Sequence, residues 1–446
     1  MTRADKPLDL LILGGTGLIG PHQVRYALAR GHRVTIFNRG RKQPEWPGQV
    51  EQLLGDRDTN DYASLKAEVA KGRRWDACID NPSSVPAWIR DAAAVLKGHV
   101  GGYTMVSSVS AYADNATPGE DETAPLARFD GDPLQETAPG LRADLSKYPG
   151  LKAATEAEAR RHFGDRTTIL RPGLIVGPGD ETDRFTYWPL RMRRGGDVLC
   201  PGDGRDPVTF VDARDLGEWM VRLAETRTHG IFNAFGPDYP LDTAALLYGI
   251  RASTRAGATL TFVPADFLDA HGVSGWTDLP VWLPGTGETA GFHRRSNARA
   301  IAAGLTFRSL ADTSAAIRVH MSIGQRLPVY IAALGRCMAA YSDLTEDQLR
   351  EKIGNLRWEN APSFEEYYAE VQQVRDRGYS VDNGNYVKGV TTVSAPVVDA
   401  NNRAIMAISA VGFSAQFNKI AIRQLGEELH ERTRTISRAL SGRVRT

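Results

Sequence analysis

Cysteine is scarce. Cys78, Cys200 and Cys337 are the three in 446 residues, far apart in the chain and without the paired spacing of a zinc site or a redox motif. This excludes a disulfide-stapled secreted fold and a cysteine-built metal centre, and the expectation is buried free thiols in a reducing cytoplasm. Neither sign of charge is in excess: 54 Lys and Arg against 53 Asp and Glu leave +1, which gives no bulk attraction to nucleic acid or an anionic membrane. Long apolar runs are missing as well. The first one, Leu10-Leu11-Ile12-Leu13, is stopped by glycine far short of a bilayer crossing, and the polar stretch Met1 to Asp9 before it does not read as a signal peptide. The expectation is a soluble cytoplasmic protein with neither nucleic acid nor membrane as partner and with no metal site. Its length predicts two domains or three.

Glycine is placed with more purpose. The apolar run leads into Gly14-Gly15-Thr16-Gly17-Leu18-Ile19-Gly20, a helical pattern follows from Gln23 to Arg30, and Arg33 to Phe37 reads as a second strand. Strand, glycine turn and helix in that order predict a dinucleotide site. Glycines let the backbone approach a pyrophosphate, and the helix N-terminus offers free N–H groups and a positive dipole end. The turn after the second strand, Asn38-Arg39-Gly40-Arg41-Lys42, holds no acid to accept from a ribose 2′-hydroxyl. Its basic residues favour a 2′-phosphate, hence NADP over NAD. A third strand, Gln49 to Leu54, ends at Gly55-Asp56-Arg57-Asp58, where Asp56 and Arg57 are candidate contacts for the adenine.

Strands and helices continue to alternate: Trp75 to Asp80, a helix from Trp88 to Leu96, then Tyr103 to Val106 running into Ser107-Ser108. This is the pattern of an α/β, doubly wound parallel sheet, whose ligands lie at the carboxyl ends of the strands. Residues 113–146, rich in Asp, Glu, Pro and Gly, read as a surface loop over that edge. Tyr148 and Lys152 follow at one-turn spacing, with the helix expected to begin only after Pro149 and Gly150. An ammonium near a tyrosine favours its phenolate, which suits general acid/base work.

Together, Gly14-x-x-Gly17-x-x-Gly20, Ser107-Ser108, Tyr148-x-x-x-Lys152 and Ile169-Leu170-Arg171-Pro172-Gly173 to Gly179 resemble the extended and atypical short-chain dehydrogenases/reductases, in the NAD-dependent epimerase/dehydratase branch, over about residues 8–318. The resemblance implies a Rossmann fold with a small substrate-binding subdomain and a bound NADP or NAD. It makes Tyr148 the catalytic acid/base, and gives Lys152 the roles of tuning Tyr148 and holding the nicotinamide ribose. Ser108 becomes the residue that hydrogen-bonds the reacting oxygen. The cofactor set it implies is Gly14, Thr16, Gly17, Leu18, Ile19, Gly20, Asn38, Arg39, Arg41, Asp56, Arg57, Tyr148 and Lys152. It also puts substrate contacts near Arg184 to Arg194. The basic turn and the long spacing from Ser108 to Tyr148 favour a reductase or dehydrogenase acting on a small-molecule carbonyl or alcohol. A sugar-nucleotide epimerase/dehydratase and a non-catalytic nucleotide-sensing regulator remain as alternatives.

From about residue 320 the pattern changes. Arg326-Leu327-Pro328, Ala332 to Arg336, Arg377-Gly378-Tyr379, Gly389 to Asp399 and a final helix from Asn418 to Leu440 resemble the effector-binding domain of IclR-type regulators over about 320–442. The helix-turn-helix and the opening strands of that family are missing. The resulting division is 1–318 and 319–446, with an α+β second module that takes a small-molecule effector. Its predicted hairpin places Val390 to Val398 at an unpaired sheet edge, which implies a homo-oligomer.

Overall fold

The computed structural model describes residues 2–446 except 43–44, 47, 181, 183, 255–256, 317–328, 355, 357, 359, 388–389, 415–417 and 441–446. Arg326, Leu327, Pro328 and Gly389, which carry part of the second resemblance, lie outside the described residues. The chain divides into two compact units, Met1–His320 and Met321–Thr446.

The first unit opens with β1 (Asp9–Leu13), α1 (Gly20–Ala29), β2 (Arg33–Asn38), β3 (Val50–Leu54), α2 (Ala63–Ala70) and β4 (Ala77–Asp80). There follow α3 (Pro86–Leu96), β5 (Tyr103–Val106), α4 (Ala138–Ala143), α5 (Tyr148–Phe163), β6 (Thr167–Pro172) and β7 (Leu174–Val176). Next come α6 (Tyr187–Arg193), β8 (Gly196–Pro201), β9 (Phe210–Asp212), α7 (Ala213–Thr226), β10 (Gly230–Ala234), α8 (Thr243–Thr254) and β11 (Ala258–Val263). The unit closes with α9 (Ala265–Ala270), α10 (Ala298–Ala302) and α11 (Leu310–Ala316).

Its main sheet has seven strands in the order β10-β6-β5-β4-β1-β2-β3, all parallel. The unbroken apolar run of β1 is explained by burial on both faces. Leu10 and Ile12 pack with Val24 of α1 and Leu216 and Trp219 of α7, whereas Leu11 and Leu13 pack with Ile89 of α3 and Ala159 and Phe163 of α5. A smaller subdomain surrounds the pairs β7–β9 and β8–β11, with Phe185, Trp188 and Trp282 in its core.

Helix α5 begins at Tyr148, not after Gly150. Pro149 occupies the first turn, where an α-helix has no use for its missing N–H. The acidic segment is less superficial than its composition suggests, because its own Glu122, Ala138 and Leu141 are buried. Cys78, Cys200 and Cys337 are all buried free thiols.

The second unit contains α12 (Ala332–Ala340), α13 (Glu346–Gly354), α14 (Phe364–Arg377), β12 (Ser380–Asn383), β13 (Val390–Val398), β14 (Ala404–Phe413) and α15 (Lys419–Leu440). Ser363 and Glu366 form a complete capping box on α14, and Gly378 ends that helix with φ +80°. The sheet order β12-β13-β14 corrects the expected edge. Val390 to Val398 is the central strand, covered on one side by the short β12, which sequence pattern did not reveal. The strands with only one partner among the described residues are instead β12 and β14, and on β14 Ile405 and Met406 are each 48% exposed. Among the described residues no helix is long and apolar enough to cross a membrane, and no group of His, Cys, Asp and Glu is arranged to hold a metal ion.

Candidate active site

A cleft of about 990 Å³ runs along the carboxyl ends of the main sheet's strands. One wall is the turn from β1 into α1. Gly14 and Gly15 have φ of +100° and +84°, conformations that a side chain would strain. A Cβ on Gly20 would lie 2.5 Å from the Gly15 backbone, so helix and turn touch only because residue 20 is glycine. Gly17 differs. A Cβ there would meet nothing within 4 Å, and it lines the cleft, so its bare backbone faces ligand space. That is the opening a pyrophosphate needs at a helix N-terminus, and the residues fit a dinucleotide. Thr16, Leu18 and Ile19 line the cleft beside it.

Arg39, Arg41 and Lys42 also line the cleft, with Arg39 47% exposed and only 3.9 Å from Asp58. Asn38 has another task. Its Nδ2 donates to the Gly14 carbonyl at 3.1 Å, and its Oδ1 accepts from the Gly40 N–H and from Gln52 Nε2, both at 2.9 Å. Asp56 lines the cleft and caps the next short turn by accepting from the Asp58 N–H. The Arg57 guanidinium, a candidate contact for the adenine, lines the cleft and pairs with Asp80. Burial would depress its pKa, but the Asp80 carboxylate raises it overall and keeps the cation charged.

Ser108, Tyr148 and Lys152 line the same cleft. Ser108 Oγ accepts from the Ser110 N–H at 3.1 Å, which leaves its own hydroxyl proton to donate. Lys152 is buried, and its Nζ donates to the carbonyls of Ser83 at 2.6 Å and Val106 at 2.9 Å, 5.7 Å from the centre of the Tyr148 ring. An ammonium has three N–H donors, so one remains for a ligand.

Behind these residues is a buried polar cluster that no spacing in the sequence announces. Glu156, a further helical turn beyond Lys152 on α5, accepts from Ser107 Oγ at 2.5 Å and from Arg171 Nη2 at 2.6 Å. Arg171 also donates to the Glu122 carbonyl and lies 4.7 Å over the Tyr112 ring. Glu122 in turn accepts from the Asn233 N–H, and Tyr112 donates to the Asn233 side chain. The end of β5, the helix carrying Tyr148, and the acidic loop are thereby tied together.

Of the basic stretch after Arg184, only Arg184 lines the cleft, 5.7 Å over the Trp276 ring. Arg191 folds back onto the carbonyls of Gly195 and Asp197, and Trp188 is core. Trp276 and Phe292 complete the wall at this end, with Arg142 and Leu145 from the α4 region. His293, whose partner sequence did not reveal, accepts through Nδ1 from the Thr209 N–H at 3.1 Å and pairs with the Thr209 hydroxyl at 2.9 Å.

Residues 10–234 match the model of the NAD dependent epimerase/dehydratase family. The chain belongs to that family. It is accordingly an NAD(P)-dependent enzyme in its first unit. Residues 286–438 match the family described as bacterial transcriptional regulator IclR C-terminal. The first part of that match packs within the first unit, where Trp219 Nε1 donates to the Ala303 carbonyl and Asn297 to the Phe235 carbonyl. The chain is 26% identical over 246 residues to the epimerase family protein SDR39U1 of Bos taurus, covering 52% of this chain and 75% of the relative. It is 34% identical over 113 residues to the HTH-type transcriptional regulator RhmR of Escherichia coli, covering 24% of this chain and 43% of that relative. The chain thus spans less than half the length of the regulator. The crystal structure of the Bordetella bronchiseptica enzyme WbmG with NAD and UDP superposes with a TM-score of 0.50 at 14% identity, covering 70% of this chain and 93% of that one, which is a likeness of fold.

Proposed function

We propose that the first unit reduces a carbonyl, or oxidises an alcohol, of a small-molecule substrate, with Ser108, Tyr148 and Lys152 as its catalytic residues and NADP(H) preferred over NAD(H). The observation that carries the reading is the convergence of these three side chains on the same cleft as the open Gly17 backbone. Bound NADP(H) supplies or accepts the hydride. The Ser108 hydroxyl donates to the substrate oxygen, and the Tyr148 hydroxyl gives that oxygen its proton in reduction or takes it in oxidation. Lys152, clamped by two backbone carbonyls, uses its remaining N–H on the cofactor ribose. Arg39 and Arg41, with no carboxylate at position 38, favour the 2′-phosphate, each such contact adding about 1.5–3 kcal/mol. Gly14, Thr16, Gly17, Leu18, Ile19 and Gly20 cradle the pyrophosphate, and the Asp56 turn meets the adenine. The enzyme so defined runs over 1–318, and the module over 319–446 binds a small-molecule effector.

The test is NADPH oxidation across a panel of carbonyl compounds with the parent chain and Tyr148→Phe. Turnover by the parent, loss of it in the variant and retained NADPH binding support the reading. Equal turnover in both makes another group the acid. An epimerase would convert a sugar nucleotide without net consumption of NADPH, so the same assay separates the two. NADH binding as tightly as NADPH would overturn the cofactor preference.

A further inference from the structure

The Arg57–Asp80 pair crosses more of the molecule than its sequence positions suggest. Arg57 lies in the turn after β3, the outermost strand of the sheet, whereas Asp80 ends β4, three strands further in, beyond β2 and β1. The guanidinium spans this gap with a two-pronged bond to the carboxylate, at 2.6 and 2.9 Å. Its Nη2 also donates to the Trp88 carbonyl at 2.9 Å, and its plane lies 5.2 Å over the Trp88 ring. From the far side, Tyr103 donates to Asp80 at 2.5 Å. The two charged side chains are 7% and 0% exposed.

A buried ion pair is a poor way to gain stability, since packed apolar side chains of the same volume often do as well or better. What such a pair does supply is fixed geometry, because a planar fork meets a carboxylate in one orientation. The geometry fixed here is that of the cleft wall: Asp56, Arg57 and Trp88 all line it, and the turn that carries Asp56 and Arg57 also carries Asp58, 3.9 Å from Arg39. One donor is also left over. Arg57 Nε is buried and has no hydrogen-bond partner among the described residues, and a buried orphan donor on a cleft wall calls for an acceptor that arrives with the ligand or with water.

We propose that Asp80, acting through Arg57 and Trp88, is the positioning residue for the adenosine half of the dinucleotide: it anchors the outer turn to the centre of the sheet and holds the guanidinium and indole as one rigid wall. The proposal rests on the reading of this cleft as the dinucleotide site. It assigns Arg57 the part of a strut within the wall in place of a free cation reaching for phosphate.

The probe is adenosine 2′,5′-bisphosphate, which carries the adenosine half alone, titrated calorimetrically into the full chain, Arg57→Lys and Trp88→Leu, with ligand-free thermal unfolding measured on each. Lysine keeps a charge for Asp80 but loses the plane and the fork. Affinity weaker by about tenfold or more in both variants, each assayed well below its unfolding midpoint, is the expected result. A purely structural pair would lower the midpoint and leave the affinity of the folded protein within about twofold, and that outcome overturns the proposal. Should Arg57→Lys fail to fold, Trp88→Leu decides alone, because its ring is only half-buried on the wall. A parent chain that binds neither this probe nor NADPH refutes the dinucleotide site itself. A parent that binds both while the variants bind equally well refutes only the positioning role.

Discussion

Acidification should weaken the first unit in part through the His293 imidazole. His293 is buried between the Thr209 backbone and two aromatic rings of the cleft wall, with Phe292 edge-on at 4.8 Å and Trp276 at 6.4 Å. Burial, with a smaller push from Arg294, lowers its pKa to about 3, against the pull of the Val281 carbonyl. In the unfolded chain the ring takes up a proton near 6.5, so between those two values only the unfolded state is protonated and each drop in pH favours it. At about 1.36 kcal/mol per pH unit below 6.5, the loss between pH 7.5 and pH 5 is about 2 kcal/mol. Urea unfolding followed by tryptophan fluorescence at both pH values, on the parent and on His293→Asn, isolates the contribution. The asparagine oxygen replaces Nδ1 as acceptor for Thr209 and does not titrate, and all other groups contribute equally to both proteins. The parent should lose about 2 kcal/mol more than the variant. Equal losses would show that His293 protonates in the folded state without cost, and the account of its burial would be wrong.

Gly17→Val should leave ligand-free stability within about 0.5 kcal/mol, because its side chain enters open space, yet abolish NADPH binding in a fluorescence titration. Gly20→Ala, which drives a Cβ into the Gly15 backbone, should destabilise the fold in chemical denaturation even without ligand. Ser107→Ala removes the hydroxyl that joins the end of β5 to Glu156 and should lower kcat roughly 10- to 100-fold with NADPH affinity unchanged; Ser107→Thr should restore most of it, and steady-state kinetics on the best carbonyl substrate reads both. A chain stopped after residue 318 should still fold and bind NADPH but show fewer copies per particle by light scattering than the full chain, because it lacks the β14 edge. The same oligomeric state in both would remove association from the second module's roles.

The parts of this molecule that were legible in its sequence are those made by neighbours along the chain. An apolar run, spaced glycines and a helical pattern locate the β1 turn, and Ser363 with Glu366 announces a helix start, because the physical unit in each case spans only a few residues. The Glu156–Arg171–Ser107 cluster was not legible, since its members meet only when α5 packs on β5 and β6. The same is true of His293 and Thr209, brought together from 84 positions apart. Pro149 misled in the opposite direction: a residue that breaks helices in their middle is tolerated in the first turn, so α5 starts one residue before it. Strand β12 is short and polar at three of its four positions, and it exists as a strand because β13 offers it a ladder.

The side chain of Asn38 bears on how this enzyme could change in evolution or in the laboratory. The usual route from NADP to NAD places a carboxylate at the end of the second strand, where it accepts from the ribose 2′-hydroxyl. Here that position is a junction of three chain segments, and the amide serves as donor to Gly14 and as acceptor for Gly40 and Gln52 at once. Aspartate could keep the acceptor half of this junction, but it would set a carboxylate oxygen against the Gly14 carbonyl, at the first residue of the glycine turn. The common single-step switch is therefore closed to this chain. On the proposed preference for NADP, a change of cofactor has to come through Arg39 and Arg41, or through a coordinated replacement at Asn38 and Gln52, so the hydrogen bonds that shape the turn also constrain its mutational paths.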